Sequence, residues 1–238
     1  MITDELWPGG PRFIRDHEAF RLGTDAVLLA DFASQGRNAA ACDLGCGTGV
    51  ISVLLALYNP ALAVDGVELQ PAWADIAREN ARLNSFDNRI RVIGGDLREH
   101  RSFLKAGAYD LVVSNPPYYP SGSGKSAARA ETAQAREEQS CTLDEVCAAA
   151  AYLTRWGGRF ALVHKPERLA DVITALKSHS LEPKRLRFVH YKPRSAPSLI
   201  LLESRRGGRP SLAVEPPLIL AEENGQDSDE VKRIYHRG

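Results

Sequence analysis

The stretch from Ala39 to Tyr58 constrains this chain more than any other. Ala39-Ala40-Ala41-Cys42-Asp43-Leu44 is short and apolar and reads as a buried strand. It runs through Gly45-Cys46-Gly47-Thr48-Gly49 into a helical stretch, Val50 to Tyr58, closed by Asn59-Pro60. Strand, glycine loop and helix in that order open a parallel α/β sheet. The glycines allow a tight turn and let backbone approach a ligand, whose polar groups meet free N–H groups at the helix start. The dinucleotide fingerprint is excluded, because Val50 stands where its third Gly or Ala is required.

Similar units follow. Ala63 to Glu68 is a second strand with an acidic end, and Glu68 lies about 20 residues past the loop, where a doubly wound fold places a carboxylate for ribose hydroxyls. The plainer reading of Glu68 is a surface acid. Pro71 to Asn84 is a helix with proline in its first turn. Arg89 to Ile93 is a third strand, followed by Gly94-Gly95-Asp96-Leu97. Asp43, Glu68 and Asp96 thus end successive strands and point to one edge of the sheet, the edge where open α/β sheets bind ligands.

The fourth strand, Leu111 to Val113, stops abruptly in Asn115-Pro116-Pro117-Tyr118-Tyr119. Neither proline has an N–H for the ladder, and each pushes the residue before it out of the helical region. Asn115 is therefore expected rigidly at a strand end, with a carbonyl from Pro116 and a ring from Tyr118 beside it. This suits the holding of a flat molecule that bears an amino group.

A capping box, Thr142 with Glu145, opens a helix through Leu153 that ends before Gly157-Gly158. Strands are expected at 159–164, 185–190 and 198–203, with a helix at 167–178. His164 and His190 read as strand-end residues rather than catalysts. The tail carries one or two short apolar strands within 212–220 and a helical turn at 230–235. Thr24 or Asp25 reads as the N-cap of an apolar helix, with a ligand contact the alternative for Asp25. The architecture is a doubly wound, mostly parallel seven-stranded Rossmann-like sheet with an antiparallel last strand. Residues 1–22 form an N-terminal arm, 23–204 the core and 205–238 a C-terminal extension of one domain.

Lys plus Arg equals Asp plus Glu at 30 each, so any nucleic-acid contact must come from local clusters. Lys125, Arg129 and Arg136 in the long 119–140 loop, and the Arg205–Arg209 cluster, are the candidates, with a merely solvated loop the alternative. No apolar run approaches the roughly 18 residues of a membrane span, and the N-terminus lacks the pattern of a secretory signal. Cys42, Cys46, Cys141 and Cys147 read as free thiols of a reducing cytoplasm rather than a metal site.

The acid before the glycine loop and Asn115-Pro116-Pro117-Tyr118 together resemble a class I S-adenosylmethionine (SAM) methyltransferase of the amino-group type. Within that group the chain is most similar to bacterial tRNA adenine-N6 methyltransferases that modify the adenine next to the anticodon of a valine tRNA. The short arm into Phe20-Arg21-Leu22-Gly23-Thr24-Asp25-Ala26 and Ala135-Arg136 before Cys141-Thr142-Leu143 carry this likeness. The family often has Ala-Arg-His-Glu where this chain reads Ala135-Arg136-Glu137-Glu138. The same motif serves enzymes acting on rRNA guanine N2 or on a glutamine amide of release factors. The latter usually carry an N-terminal domain of about 70 residues or more, whereas 38 residues precede the first strand here. The resemblance implies a cytoplasmic enzyme with SAM as cofactor, tRNA as substrate, and Asn115, Pro116 and Tyr118 as catalytic residues. It implies Asp43, Gly45, Gly47 and Gly49 at the methionine and ribose side of SAM, Glu68 at the ribose hydroxyls and Asp96 near its adenine. Thr24, Leu97 and Asn115 complete that set, with Asp25 closing over the methionine end.

Overall fold

A computed structural model describes residues 2–14, 23–36, 38–118 and 141–237. The expectations for Phe20 to Leu22, Lys125, Arg129, Arg136 and the Ala135–Glu138 stretch lie outside these residues.

Two short strands, β1 (Thr3–Glu5) and β2 (Arg12–Ile14), pair as an antiparallel hairpin. Then come α1 (Thr24–Ala33), β3 (Ala40–Leu44), α2 (Val50–Tyr58), β4 (Ala63–Glu68), α3 (Pro71–Leu83), β5 (Ile90–Gly94) and β6 (Tyr109–Ser114). The chain continues through α4 (Leu143–Leu153), β7 (Thr154–His164), α5 (Leu169–Ser178), β8 (Leu181–His190) and β9 (Pro197–Arg206). Two-residue strands β10 (Ala213–Val214) and β11 (Leu218–Ile219) and a last helix, α6 (Asp229–Ile234), close it.

The sheet order is β5-β4-β3-β6-β7-β9-β8, with β10 and β11 both on the outer edge of β8. β3 to β7 are mutually parallel, and β9 lies antiparallel between β7 and β8. The chain winds outward from β3 to β5, then returns to the other side of β3 with β6. The carboxyl ends of β3 and β6 therefore flank a topological switch point, where a crevice opens. Side chains alternate between two cores. Leu111, Val113, Ala161 and Val163 pack toward α1 and α2, while Val112, Phe160 and Leu162 pack toward α4 and α5. No described helix is long and apolar enough to cross a membrane.

Four expectations need correction. Among the described residues the sheet has nine strands rather than seven, because the two short tail strands expected within 212–220, β10 and β11, join the outer edge of β8. The N-cap of α1 is Gly23, with no side-chain cap; Thr24 and Asp25 lie inside the first turn, and the Asp25 carboxylate is engaged elsewhere. Gly157 and Gly158 do not separate α4 from β7. They lie within β7, where its register against β6 shifts between Tyr109 and Leu111. β8 and β9 are each ten residues long, so both exceed the apolar runs that mark them. The Thr142–Glu145 capping box is present in both directions.

One buried side chain ties the N-terminal hairpin to the glycine loop. Asn80 on α3 is fully buried. Its Oδ1 accepts from Ile14 N at 2.9 Å, and its Nδ2 donates to Thr48 O at 2.8 Å. One turn on, Asn84 exchanges two hydrogen bonds with the backbone of Arg12. Asn80→Ala leaves a strand N–H and a loop carbonyl without partners, at about 1–3 kcal/mol for such a loss. Urea denaturation is expected to show destabilisation of about 2 kcal/mol; a variant within a few tenths of the parent would refute the tether.

Candidate active site

A cavity of about 490 Å³ opens at the switch point. Its floor is the glycine loop. Gly45, Gly47 and Gly49 all take positive φ, at 71°, 54° and 81°, a conformation that strains residues with a Cβ. Gly45 and Gly47 line the cavity, and a Cβ on either would meet nothing within 4 Å, so their backbones face open space. Gly49 serves packing instead. It is the N-cap of α2 and sits against Ala77, where a Cβ would stand 3.2 Å from that residue's Cβ.

Glu68, at the end of β4, stands beside this floor. Its Oε2 accepts from Gly47 N at 2.9 Å and its Oε1 from Gln70 N at 2.9 Å. The carboxylate is thereby oriented by backbone, and each oxygen keeps a lone pair for a hydroxyl. Asp96 also lines the cavity, but its carboxylate is engaged by Arg98 through backbone and guanidinium. Those hydrogen bonds hold it below the usual carboxylate range. Leu97, with Leu69, Trp73 and Val146, supplies an apolar wall beside it.

Asn115, Pro116 and Tyr118 line the opposite side, at the end of β6. The Tyr118 hydroxyl donates to Asp25 Oδ2 at 2.5 Å and also stands 3.1 Å from Asn115 Oδ1. Burial first, and then the Asp25 charge, pushes the phenol pKa far up, so it stays protonated and remains a donor. The ring meets His164 edge-on at 5.6 Å, and Lys165 Nζ lies 5.0 Å from its centroid. His164 is buried at the end of β7, its Nδ1 accepting from Lys165 N at 2.8 Å. Burial, helped by Arg168, lowers its pKa to about 4, so the imidazole is neutral at pH 7. The Pro116 carbonyl accepts no hydrogen bond among the described residues and is free to receive a donor.

The cavity thus brings together Asp25, Gly45, Gly47, Glu68, Asp96, Leu97, Asn115, Pro116 and Tyr118. Thr24 is exposed and outside it. Asp43 lies beneath the floor, fully buried, its Oδ2 accepting from Ser52 Oγ at 2.7 Å and its Oδ1 without a partner among the described residues. Sequence reasoning missed Trp73, Gln70 and Cys141, which also line the cavity. Gln70 and Trp73 follow directly on the acid-ended strand β4, and that position was the available signal. Cys42, Cys46 and Cys147 are buried free thiols, and Cys141 is partly exposed.

These surroundings fit SAM. Open glycine backbone, a preset Glu68 and an apolar wall match an amino acid, a ribose and a flat base in turn, above the orphaned buried oxygen of Asp43. Asp43 also carries a pH signature. Burial raises its pKa from 3.8 to about 7, against the lowering effect of Ser52. An acid whose folded-state pKa stands above its unfolded value contributes stability that is full below the unfolded value and is lost as pH rises through the folded one. Between about pH 4 and pH 7, the parent is therefore expected to lose stability relative to Asp43→Asn. Urea midpoints across that range check this; parallel curves would contradict it.

The methyltransferase small domain model matches residues 17–168. A tRNA1(Val) (adenine(37)-N6)-methyltransferase of Porphyromonas gingivalis is 35% identical over 193 residues, covering 79% of this chain and 75% of the relative. Its counterpart in Dickeya chrysanthemi is 32% identical over 213 residues, covering 87% and 83%. Among solved structures, a predicted O-methyltransferase from Agrobacterium tumefaciens superposes with a TM-score of 0.75 over 90% of this chain and 97% of its own, at 22% identity, which speaks to the fold alone. The chain belongs to the methyltransferase small domain family and, within it, to the family of these tRNA-modifying relatives.

Proposed function

We propose that this protein transfers the methyl group of SAM to the exocyclic N6 amine of an adenine in tRNA. The observation that carries this reading is the position of Asn115 and Pro116. They end β6 directly across the switch point from the glycine loop, in one cavity with Glu68. The curated relatives supply the adenine and the tRNA. A tRNA substrate assigns the work to the cytoplasm, with residues 23–204 as the catalytic core and the flanking segments bound to it.

SAM supplies an electrophilic sulfonium methyl. The protein's part is to make a poor nucleophile reactive, because the adenine amine has its lone pair delocalised into the ring. Asn115 Oδ1 and the Pro116 carbonyl accept its two N–H bonds. That pair of acceptors favours a tetrahedral nitrogen and points the lone pair at the methyl, a gain from positioning and preorganised dipoles. No strong base is needed first, since the amine becomes acidic only on methylation. Tyr118 carries Lys165 over its ring, and we assign the opposite face to the base. Such a stack is worth about 1–3 kcal/mol. Extraction of a loop nucleotide costs less than that of a paired one. Gly45 and Gly47 hold the methionine and ribose side of SAM with Asp43 beneath them, Glu68 the ribose hydroxyls, and Leu97 with the Asp96 backbone its adenine.

Incubation with labelled SAM and bulk tRNA, followed by nucleoside analysis, is expected to yield N6-methyladenosine. Methylated guanine, or no label in RNA, would sink the reading. Asn115→Ala is expected to abolish turnover while SAM still binds; an active variant would remove Asn115 from the chemistry. Tyr118→Phe keeps the ring but removes the donor held by Asp25 and Asn115. Loss of a hydrogen bond to a charged group is worth about 1.5–3 kcal/mol, so kcat is expected to fall at least tenfold with SAM affinity within twofold. A loss confined to SAM affinity would assign the hydroxyl to the cofactor instead.

A further inference from the structure

Two groups of basic residues near β8 and β9 lie toward opposite ends of the sheet. Arg205 pairs with Arg159 and Glu182, and Arg206 with Leu181, where β7 and β8 begin. Asn115 follows the opposite end of β6, where Ser114 pairs with Leu162. Arg159 in turn pairs with Leu111, three residues before Ser114, so at about 3.3 Å per residue the Arg205 level lies roughly 10 Å from that end. Arg206 is also engaged there, its guanidinium donating to the carbonyls of Tyr152 and Thr154. The arginine cluster that the sequence singles out therefore sits at the wrong end for an adenine at Asn115.

The right end carries a different basic feature. β8 and β9 are joined by Tyr191-Lys192-Pro193-Arg194-Ser195-Ala196, where His190 pairs with Pro197. This connection is internally fixed. The Ser195 hydroxyl accepts from Lys192 N at 3.0 Å and donates to Lys192 O at 2.9 Å, and His190 Nδ1 lies 2.6 Å from Ser195 O. Yet its tip faces water: Tyr191 is 60% exposed and the Arg194 side chain 94%. The acid facing it is Glu223, 4.0 Å from Arg194, whose carbonyl also accepts from Lys192 Nζ at 3.3 Å. Lys165 continues the cationic path inward. Its Nζ reaches Ser198 O at 3.5 Å and lies over Tyr118 in the cavity. β9 and β8 stand two and three strand spacings from β6, roughly 10 and 14 Å.

A rigid turn that presents one exposed ring and two cations on the Tyr118 side of the cavity matches single-stranded RNA. Cations meet phosphates, and rings stack on unpaired bases. We propose that the β8–β9 turn is the docking surface for the single-stranded tRNA loop that carries the target adenine. Lys192 and Arg194 contact its phosphates and Tyr191 stacks on a base flanking the target. This rests on the reading of the protein as a tRNA methyltransferase.

The test is methylation of an unmodified valine tRNA transcript by the full chain, across a range of salt. The double variant Lys192→Ala/Arg194→Ala is expected to raise KM for tRNA at least tenfold, with kcat and SAM affinity unchanged. The slope of log affinity against log salt is expected to shrink by about one to two. Tyr191→Ala is expected to raise KM without changing that slope. Arg205→Ala/Arg209→Ala is expected to leave both near the parent values. An active parent whose double variant keeps the parent KM and slope overturns this proposal alone. So does an equal loss from the Arg205/Arg209 pair, which would lay the RNA across the far end. A parent inactive on tRNA overturns the functional reading and this proposal with it.

Discussion

The structure depends on how the ends of β3 and β6 are joined. These strands are neighbours in the sheet but far apart in the chain, and the helices that follow them, α2 and α4, pack in different cores. Where the two strands end, the buried Ser114 hydroxyl donates to Leu44 O at 2.9 Å. That bond, with the parallel ladder from Ala41 to Leu44, fixes the glycine loop against Asn115. The glycine floor and the Asn115 wall become one cavity because the sheet reverses its winding there. A small slip of one strand end against the other would separate the two halves, and misplacement of about 1 Å costs heavily in group transfer.

A second constraint comes from α1. Asp25 in its first turn holds the Tyr118 hydroxyl, which in turn reaches Asn115 Oδ1. The N-terminal helix thus sets the rotamer of a side chain placed by the fourth core strand. This explains why Asp25 does not act as the N-cap that its position in the sequence suggests. α1 is itself held from the far terminus, since Arg233 on α6 forms a bidentate pair with Asp31. Both flanking segments therefore bear on the site through the helices they touch, by way of Asn80 on one side and Asp31 on the other.

Most of the sheet was legible because strand residues announce themselves by apolar runs, and the acids at strand ends mark the ligand edge. Asp43, Glu68 and Asp96 fall on that edge, but their fates differ for reasons no pattern carries. Glu68 is aimed by two backbone N–H groups, Asp96 is engaged by Arg98 two residues on, and Asp43 points down into the core. Spacing fixes which edge a residue reaches; only packing fixes where its oxygens go. The apolar run at 212–220 likewise marks β10 and β11 but not the strand they join, the outer edge of β8. The distance of the arginines from the site was hidden, since the register of β9 against β7 is set by a long-range pairing.

Asp43 shows why local rules fail where they do. A fully buried carboxylate with one unpartnered oxygen is expensive in a free protein, and its raised pKa records that cost. Nothing in the packing of β3 requires it, for Cys42 and Leu44 fill the same strand with apolar volume. Locally inconsistent residues concentrate at functional sites, where a ligand supplies the missing partner. Asp43 lies before the glycine loop with only Leu44 between, buried beneath the floor of the cavity. A donor that reached this oxygen would offset the cost that burial imposes, which is how an acid at this position would contribute to the proposed cofactor site.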